Sequence, residues 1–261
     1  MKLPYANKEL GQHFLRDPDV IHAICEDHKG NYDCVLEVGP GPGILTELIS
    51  KYEKPYAVVE KDTRFKDYLT QHLDPKDLHF EDALGFDYLG FINNQWEQSD
   101  RVWLVSNLPY NISALLLIKF IQVPRLSCMT LMFQKEVGQK LIFNGKNMNS
   151  LLALTQLYYT TEKLCLARPE AFVPPPKVDS IVVSLVVREK PLLPLSEFKK
   201  FETFLRQLFQ LKRKQVGKVL KTCFEPELVL KALEASQLSP TLRAESFNLE
   251  QVLLLYSHLK P

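Results

Sequence analysis

Asn107-Leu-Pro-Tyr-Asn-Ile-Ser113 carries the residues best suited to chemistry in this chain. The proline stiffens the loop, so that the Asn107 amide oxygen and the Leu108 carbonyl oxygen can both face an incoming amine. Tyr110 then offers a face for stacking. An exocyclic amine on an aromatic ring is a poor nucleophile because its lone pair is delocalised into the ring. Two acceptors on its hydrogens favour a pyramidal nitrogen, free the lone pair for an electrophile, and stabilise the positive charge that develops. No dedicated general base is required, since the ammonium that forms loses its proton readily. A base inside a duplex hides its amine in the stack, so the substrate must be unpaired or flipped out and held between apolar faces. Phe172, in the loop Ala171-Phe-Val-Pro-Pro-Pro-Lys-Val-Asp-Ser180, is the candidate for a second face. The same loop suits equally well a rigid connector with Phe172 tucked into the core.

The electrophile needs a site of its own. In Val35-Leu-Glu-Val-Gly-Pro-Gly-Pro-Gly-Ile-Leu-Thr46 an apolar strand runs into Gly39, Gly41 and Gly43, and a helix follows at once. Glycine belongs where the backbone must turn tightly and approach a ligand without a Cβ in the way. A lone glycine cluster can also be a plain strand-to-helix turn. Here, however, the spacing is G-x-G-x-G after an acid, Glu37, the arrangement usual in S-adenosylmethionine-dependent methyltransferases, whereas dinucleotide folds use G-x-G-x-x-G. A carboxylate in the strand end repels phosphate and suits a ligand with a cationic ammonium and sulfonium. The next strand ends in Glu60, whose carboxylate can accept both ribose hydroxyls, and the third leads to Asp82, which can accept from an adenine amino group. Each acid alone could be an ordinary surface residue. Three successive strand ends with fitting polar groups make one adenosyl site.

Short apolar runs at residues 34–38, 56–60, 78–81, 102–106, 127–133, 156–161 and 181–187 read as the strands that position these groups. Helical periods at 44–52, 64–72, 113–121 and 134–143 read as the crossovers. This is an α/β, Rossmann-like seven-stranded methyltransferase domain over residues 1–188. Its sheet is antiparallel only at one end, where 151–161 and 181–187 are joined by a proline-rich loop. After the linker Glu189-Lys-Pro-Leu-Leu-Pro-Leu195, residues 189–261 form a small all-helical domain. Its helices are expected at 196–210, 212–221, 226–236 and 249–259, with Ser196 and Asn248 as N-caps.

Composition excludes other classes. With 46% hydrophobic and 24% charged residues in 261, the chain is neither disordered nor collagenous nor a coiled coil. Cys25, Cys34, Cys128, Cys165 and Cys223 are odd in number and lack a Cys-x-x-Cys pair, and the six histidines show no ligand spacing. Free thiols in a reducing compartment and no metal site are therefore expected. The N-terminus has no signal or transit character, and the uncharged stretch 102–118 is too interrupted to span a bilayer. A cytoplasmic monomer without a membrane partner is the expectation.

Together the motifs resemble one family, the small-subunit ribosomal RNA adenine dimethyltransferases, which is similar in turn to the erythromycin-resistance methyltransferases and the mitochondrial transcription factor B proteins. The resemblance runs from Gly11-Gln-His-Phe-Leu15 through the glycine turn, Val59-Glu60, Asp82-Ala-Leu84, the Asn107 loop, Phe133-Gln-Lys-Glu-Val137 and the Phe172 loop to Leu242-Arg-Ala-Glu-Ser246. It implies transfer of methyl groups from S-adenosylmethionine to the N6 amines of two adjacent adenines in a hairpin loop near the 3′ end of small-subunit rRNA, two methyls to each base. The implied partner is that rRNA within an immature small ribosomal subunit. The resemblance also implies that His13 and Leu15 close over the cofactor, that Gly39 approaches its methionine part with Gly41 in the same site, that Glu60 holds the ribose and Asp82 the adenine, and that Asn107 borders the methyl. Gln134-Lys-Glu-Val137 and Pro176-Lys-Val-Asp-Ser180 favour this biogenesis branch over the large-subunit resistance branch. Pro42 between the second and third glycines, and Asn144-Gly-Lys-Asn-Met148 where the branch often carries an arginine, depart from the family pattern. Some relatives act chiefly as non-catalytic binding factors in assembly, so that role stays open beside the enzyme.

The formal charge of +1 conceals an asymmetry. Residues 1–188 hold 20 basic and 23 acidic side chains, while 189–261 hold 12 and 8. Arg206, Lys212, Arg213, Lys214, Lys218 and Lys221 follow one another with no acid between them. Such a run can be a solvated helix face; beside an RNA-modifying site it is better read as a phosphate-gripping surface.

Overall fold

The computed structural model describes residues 4–99, 101–211 and 213–259. In chain order its strands are β1 (Phe14–Leu15), β2 (Cys34–Val38), β3 (Tyr56–Val59), β4 (Leu78–His79), β5 (Val102–Asn107), β6 (Leu126–Gln134), β7 (Tyr159–Ala167), β8 (Phe172–Val173) and β9 (Ser180–Val187). Its helices are α1 (Pro18–Glu26), α2 (Thr46–Ile49), α3 (Lys66–Leu69), α4 (Tyr88–Gln95), α5 (Ser113–Phe120), α6 (Lys135–Gln139), α7 (Ser150–Gln156), α8 (Phe198–Phe209), α9 (Val216–Leu220), α10 (Pro226–Ala235) and α11 (Leu249–Leu259).

Two compact units emerge, one of Met1–Gln139 with Thr160–Val187 and one of Lys140–Tyr159 with Arg188–Pro261. The boundary expected after 188 therefore misses a second crossing, because residues 140–159 join the helical unit. Their apolar side chains explain it. Leu152, Ala153 and Leu154 of α7 are buried, and the helix packs against α8 and α11. Residues 156–161, expected as strand, instead hold the end of α7, a turn and the start of β7; Asn149 caps α7 by accepting the Leu152 N–H at 3.1 Å.

In the first unit the seven-stranded sheet has the order β4-β3-β2-β5-β6-β9-β7, and β1 pairs with β8 in a separate ribbon. β4, β3, β2, β5 and β6 are mutually parallel, while β9 runs antiparallel to β6. Every residue of β2 is buried, as a central parallel strand covered on both faces requires. The core includes Val35, Val58, Trp103, Val105 and Val182 from the sheet together with Val20 and Ile24 of α1 and Ile49 of α2. Trp103 also donates its indole N–H to Thr130 Oγ1 at 2.9 Å, so its one polar atom is satisfied inside the core. Besides α7, two more helices absent from the expectation, α1 and α4, begin at Asp17 and Asp87, whose carboxylates accept backbone N–H groups of the first turn.

In the second unit one face of α8 buries Phe201, Phe204, Leu205 and Leu208. Ser196 is not its cap: it lies in the 3₁₀ turn Leu195–Glu197, and α8 starts without a side-chain cap bond. Asn248 does cap α11, in a reciprocal pair with Gln251 at 2.9 and 3.0 Å. The helix expected at 212–221 is shorter, Val216–Leu220.

Candidate active site

One cleft of the first unit opens at the carboxyl ends of β2, β3 and β5, where ligands of open α/β sheets bind. His13, Leu15, Gly39, Gly41, Glu60, Asp82, Asn107, Leu108 and Tyr110, all expected as site residues, line it. Gly39 ends β2 at φ 69°, with nothing within 4 Å of where a Cβ would stand. Its left-handed backbone leaves a cradle that a side chain would fill. Gly41, at φ 55°, turns its N–H onto Glu60 Oε2 at 2.9 Å.

The Glu60 carboxylate is buried and held at both ends, since Oε1 accepts the Asp62 N–H at 2.7 Å. Burial raises its pKa, against the opposing pull of these backbone donors. The Lys61 N–H also bonds this carboxylate, and the acceptor capacity that remains is what a ribose hydroxyl needs. Asp82 is more open. Its Oδ2 takes a bond from Lys61 Nζ at 2.7 Å and its Oδ1 the Leu84 N–H at 2.9 Å. The lysine bond, then the Leu84 N–H, lowers its pKa. Glu37 also lines the cleft, but its Oε2 accepts the hydroxyls of Thr46 at 2.5 Å and Tyr56 at 2.6 Å. Burial nonetheless pushes it up to about 7.

Asn107 ends β5. Its Nδ2 donates to the His13 carbonyl at 3.1 Å, which leaves Oδ1 as the acceptor without a partner among these bonds. The preceding Ser106 ties this strand end to β2 through Val38 O at 2.5 Å. Tyr110 packs its ring at 5.8 Å and 22° against His13, and its hydroxyl lies 2.6 Å from Ser180 Oγ. Burial raises the Tyr110 pKa, so the hydroxyl stays neutral. His13 Nδ1 is 2.8 Å from Pro174 O.

Phe172 is not at the cleft. It is 1% exposed, in β8, paired with Leu15 and packed in the core. A stacking face from this residue is thereby corrected: the extended proline loop turns it inward, where burying a phenyl ring is favourable. Missed by sequence reasoning were Gln12, Asp62 and Arg64, which form a bonded cluster beside Glu60. Gln12 alone left a signal, inside Gly11-Gln-His-Phe-Leu15.

In the helical unit Arg206 on α8, Arg213 and Lys214 in the following turn, and Lys218 on α9 are all exposed; Lys212 lies outside the described residues. Among the described residues no group of three or more His, Cys, Asp or Glu is placed to hold a metal ion, and no helix is long and apolar enough to cross a membrane.

The sheet order, the glycine turn and the acids at successive strand ends define a Rossmann-like S-adenosylmethionine-dependent methyltransferase. The model of the family described as "Ribosomal RNA adenine dimethylase" matches residues 5–260. The chain belongs to that family. A protein of Phytoplasma australiense named "Ribosomal RNA small subunit methyltransferase A" is 34% identical over 251 residues, 94% of this chain and 88% of that protein. Two solved structures share the fold. A dimethyladenosine transferase from Plasmodium falciparum has a TM-score of 0.76 at 24% identity, covering 94% of this chain and 96% of that one. The 23S rRNA methyltransferase ErmE has a TM-score of 0.71 at 23% identity, covering 94% and 99%.

Proposed function

We propose that this enzyme dimethylates the N6 amines of two adjacent adenines in a hairpin loop near the 3′ end of small-subunit rRNA, acting on an immature small ribosomal subunit. The observation that carries the reading is Asn107, which lines the cleft and whose Nδ2 is committed to the His13 carbonyl while its Oδ1 accepts no hydrogen bond among the described residues. The relative named for the small subunit supports the choice of subunit. The two segments that separate the branches are themselves paired, Lys135 Nζ meeting Asp179 Oδ2 at 2.8 Å and the Lys135 N–H meeting Asp179 O at 2.9 Å.

The residues present fit S-adenosylmethionine: an open glycine cradle, a fixed carboxylate for vicinal hydroxyls and a second carboxylate for an amino group. Gly39 and Gly41 would lie along its methionine part, Glu60 would hold the ribose, Asp82 the adenine, and His13 and Leu15 would cover it. When bound, it supplies an electrophilic methyl group. Tyr110 stacks the flipped-out base, while Asn107 Oδ1 and the Leu108 carbonyl accept the two amine hydrogens. These acceptors draw the nitrogen lone pair out of the ring and stabilise the growing positive charge. After the first transfer one N–H remains, so one acceptor still orients the second.

The exposed Arg206, Arg213, Lys214 and Lys218 grip rRNA phosphates, with Lys212 in the same run. We place the enzyme in the cytoplasm as a monomer. Methyl transfer to assembled immature small subunits, and not to naked large-subunit rRNA, is the expected result of a substrate-choice assay. Methylation of only the large-subunit RNA would make it a resistance-type enzyme. Small-subunit binding without methylation of either would make it an assembly factor.

A further inference from the structure

We infer that Asp62 is a positioning residue that latches the N-terminal segment, residues 5–13, beside the cleft and sets the orientation of Glu60; the inference rests on the cofactor assignment above. Asp62 is 7% exposed and follows Glu60 by two residues, where the chain leaves β3. Its carboxylate receives four bonds. Arg64 forks onto it, Nε to Oδ1 at 2.8 Å and Nη2 to Oδ2 at 2.5 Å, the Arg64 N–H reaches Oδ1 at 3.2 Å, and Gln12 Nε2 reaches Oδ2 at 2.8 Å. A forked guanidinium–carboxylate pair fixes direction as well as distance. With these donors the Asp62 carboxyl is held down to about 2, ionised at every working pH.

Both donors reach onward into the N-terminal segment. Arg64 Nη1 donates to Tyr5 O at 3.2 Å, and Gln12 Oε1 accepts the Asn7 N–H at 2.8 Å. The segment then supplies Gln12 and His13 to the cleft wall, and the His13 carbonyl holds Asn107. On its other side Asp62 gives its own N–H to Glu60. A continuous bonded path thus joins the expected ribose acid to the segment expected to cover the cofactor, with Asp62 at its centre.

A plainer role exists, because Asp62 is also the N-cap of the turn Thr63–Phe65. That role uses Oδ1 alone. Asp62→Asn separates the two: the amide keeps the cap oxygen, while its NH₂ replaces the acceptor that Gln12 and the Arg64 fork require.

The test is binding of S-adenosylhomocysteine to the full chain by calorimetry, with hydrogen exchange of residues 5–13 with and without that ligand. The wild type is expected to bind and to gain protection in that segment. Asp62→Asn is expected to bind about tenfold more weakly and to lose the ligand-dependent protection, together with a lower melting temperature in the absence of ligand, because the low Asp62 pKa is stability that the amide gives up. In turnover the loss should fall on the KM for S-adenosylmethionine and largely spare kcat. Gln12→Ala, which leaves the Arg64 fork, should show a smaller effect of the same kind, and the double variant should lose less than the sum of the two. Unchanged affinity and protection in both single variants would overturn the latch. A wild type that binds no S-adenosylhomocysteine would overturn the cofactor assignment itself.

Discussion

Asn107 Nδ2 donates to the carbonyl oxygen of His13, and this 3.1 Å bond decides which end of the carboxamide can serve a substrate. With the NH₂ committed, Oδ1 is the end left to accept from an amine. Asn107→Ala deletes that acceptor and is expected to slow single-turnover methyl transfer to immature small subunits by about 10²–10³-fold, the usual cost of one transition-state hydrogen bond. Asn107→Asp keeps an acceptor but sets a carboxylate against the His13 carbonyl, so it should be slow as well. Full activity in the alanine variant would refute the mechanism.

Tyr110 and Ser180 form a second pair, their hydroxyls 2.6 Å apart. Tyr110→Phe and Ser180→Ala each leave the ring available for stacking and remove only what fixes its tilt. Each is expected to lower the methylation rate less than about tenfold, and the double variant no further, since both cut the same bond. Additive losses in a double-mutant cycle would mean that the two act separately.

Glu37 makes stability depend on pH in a defined direction. Burial raises its pKa from 4.5 to about 7 in the folded protein, so folding favours the protonated acid. Its contribution is fully present below about pH 4.5 and is lost as pH rises through about 7. Gln in its place does not titrate and can still accept from Thr46 and Tyr56. The melting temperature of the wild type relative to Glu37→Gln should therefore be highest near pH 4.5 and fall toward pH 8. A difference that is flat, or that grows with pH, would show that burial does not govern this carboxyl.

The parts legible in the sequence were those whose cause is local. Cys34–Val38 is apolar apart from Glu37 because it is covered on both faces, and the glycines after it announce the turn. Asn107 and Glu60 stand at the ends of buried strands of the same kind, and Asp82 lies just beyond the short edge strand Leu78–His79, so all three could be placed at one end of the sheet. The helices after Asp17 and Asp87 were signalled only by their capping residues, without a long apolar period. Residues 151–161 read as sheet, but a short apolar run fits either element, and Ser150–Gln156 is helix. Phe172 was undecidable locally, since its burial depends on pairing with Leu15, far away in the chain. The Asp62–Gln12 bond spans 50 positions and leaves no local trace.

Charge placement in the helical unit supports one more expectation. α8 buries its aromatic and leucine face and turns Arg206 outward, and Arg213, Lys214 and Lys218 continue the exposed basic run. No acid interrupts it between residues 206 and 221. Cations that neutralise phosphates release counterions, so each lost contact lowers the slope of log affinity against log salt by about 0.7–0.9. Replacing Arg213, Lys214 and Lys218 together by Gln should weaken rRNA binding and flatten that slope by about two units, while leaving S-adenosylhomocysteine affinity unchanged. The salt titration separates this from a loss of folding, which would abolish binding without a graded change in slope. Undiminished binding with an unchanged slope would mean that the run is only a solvated face and that the rRNA is held elsewhere.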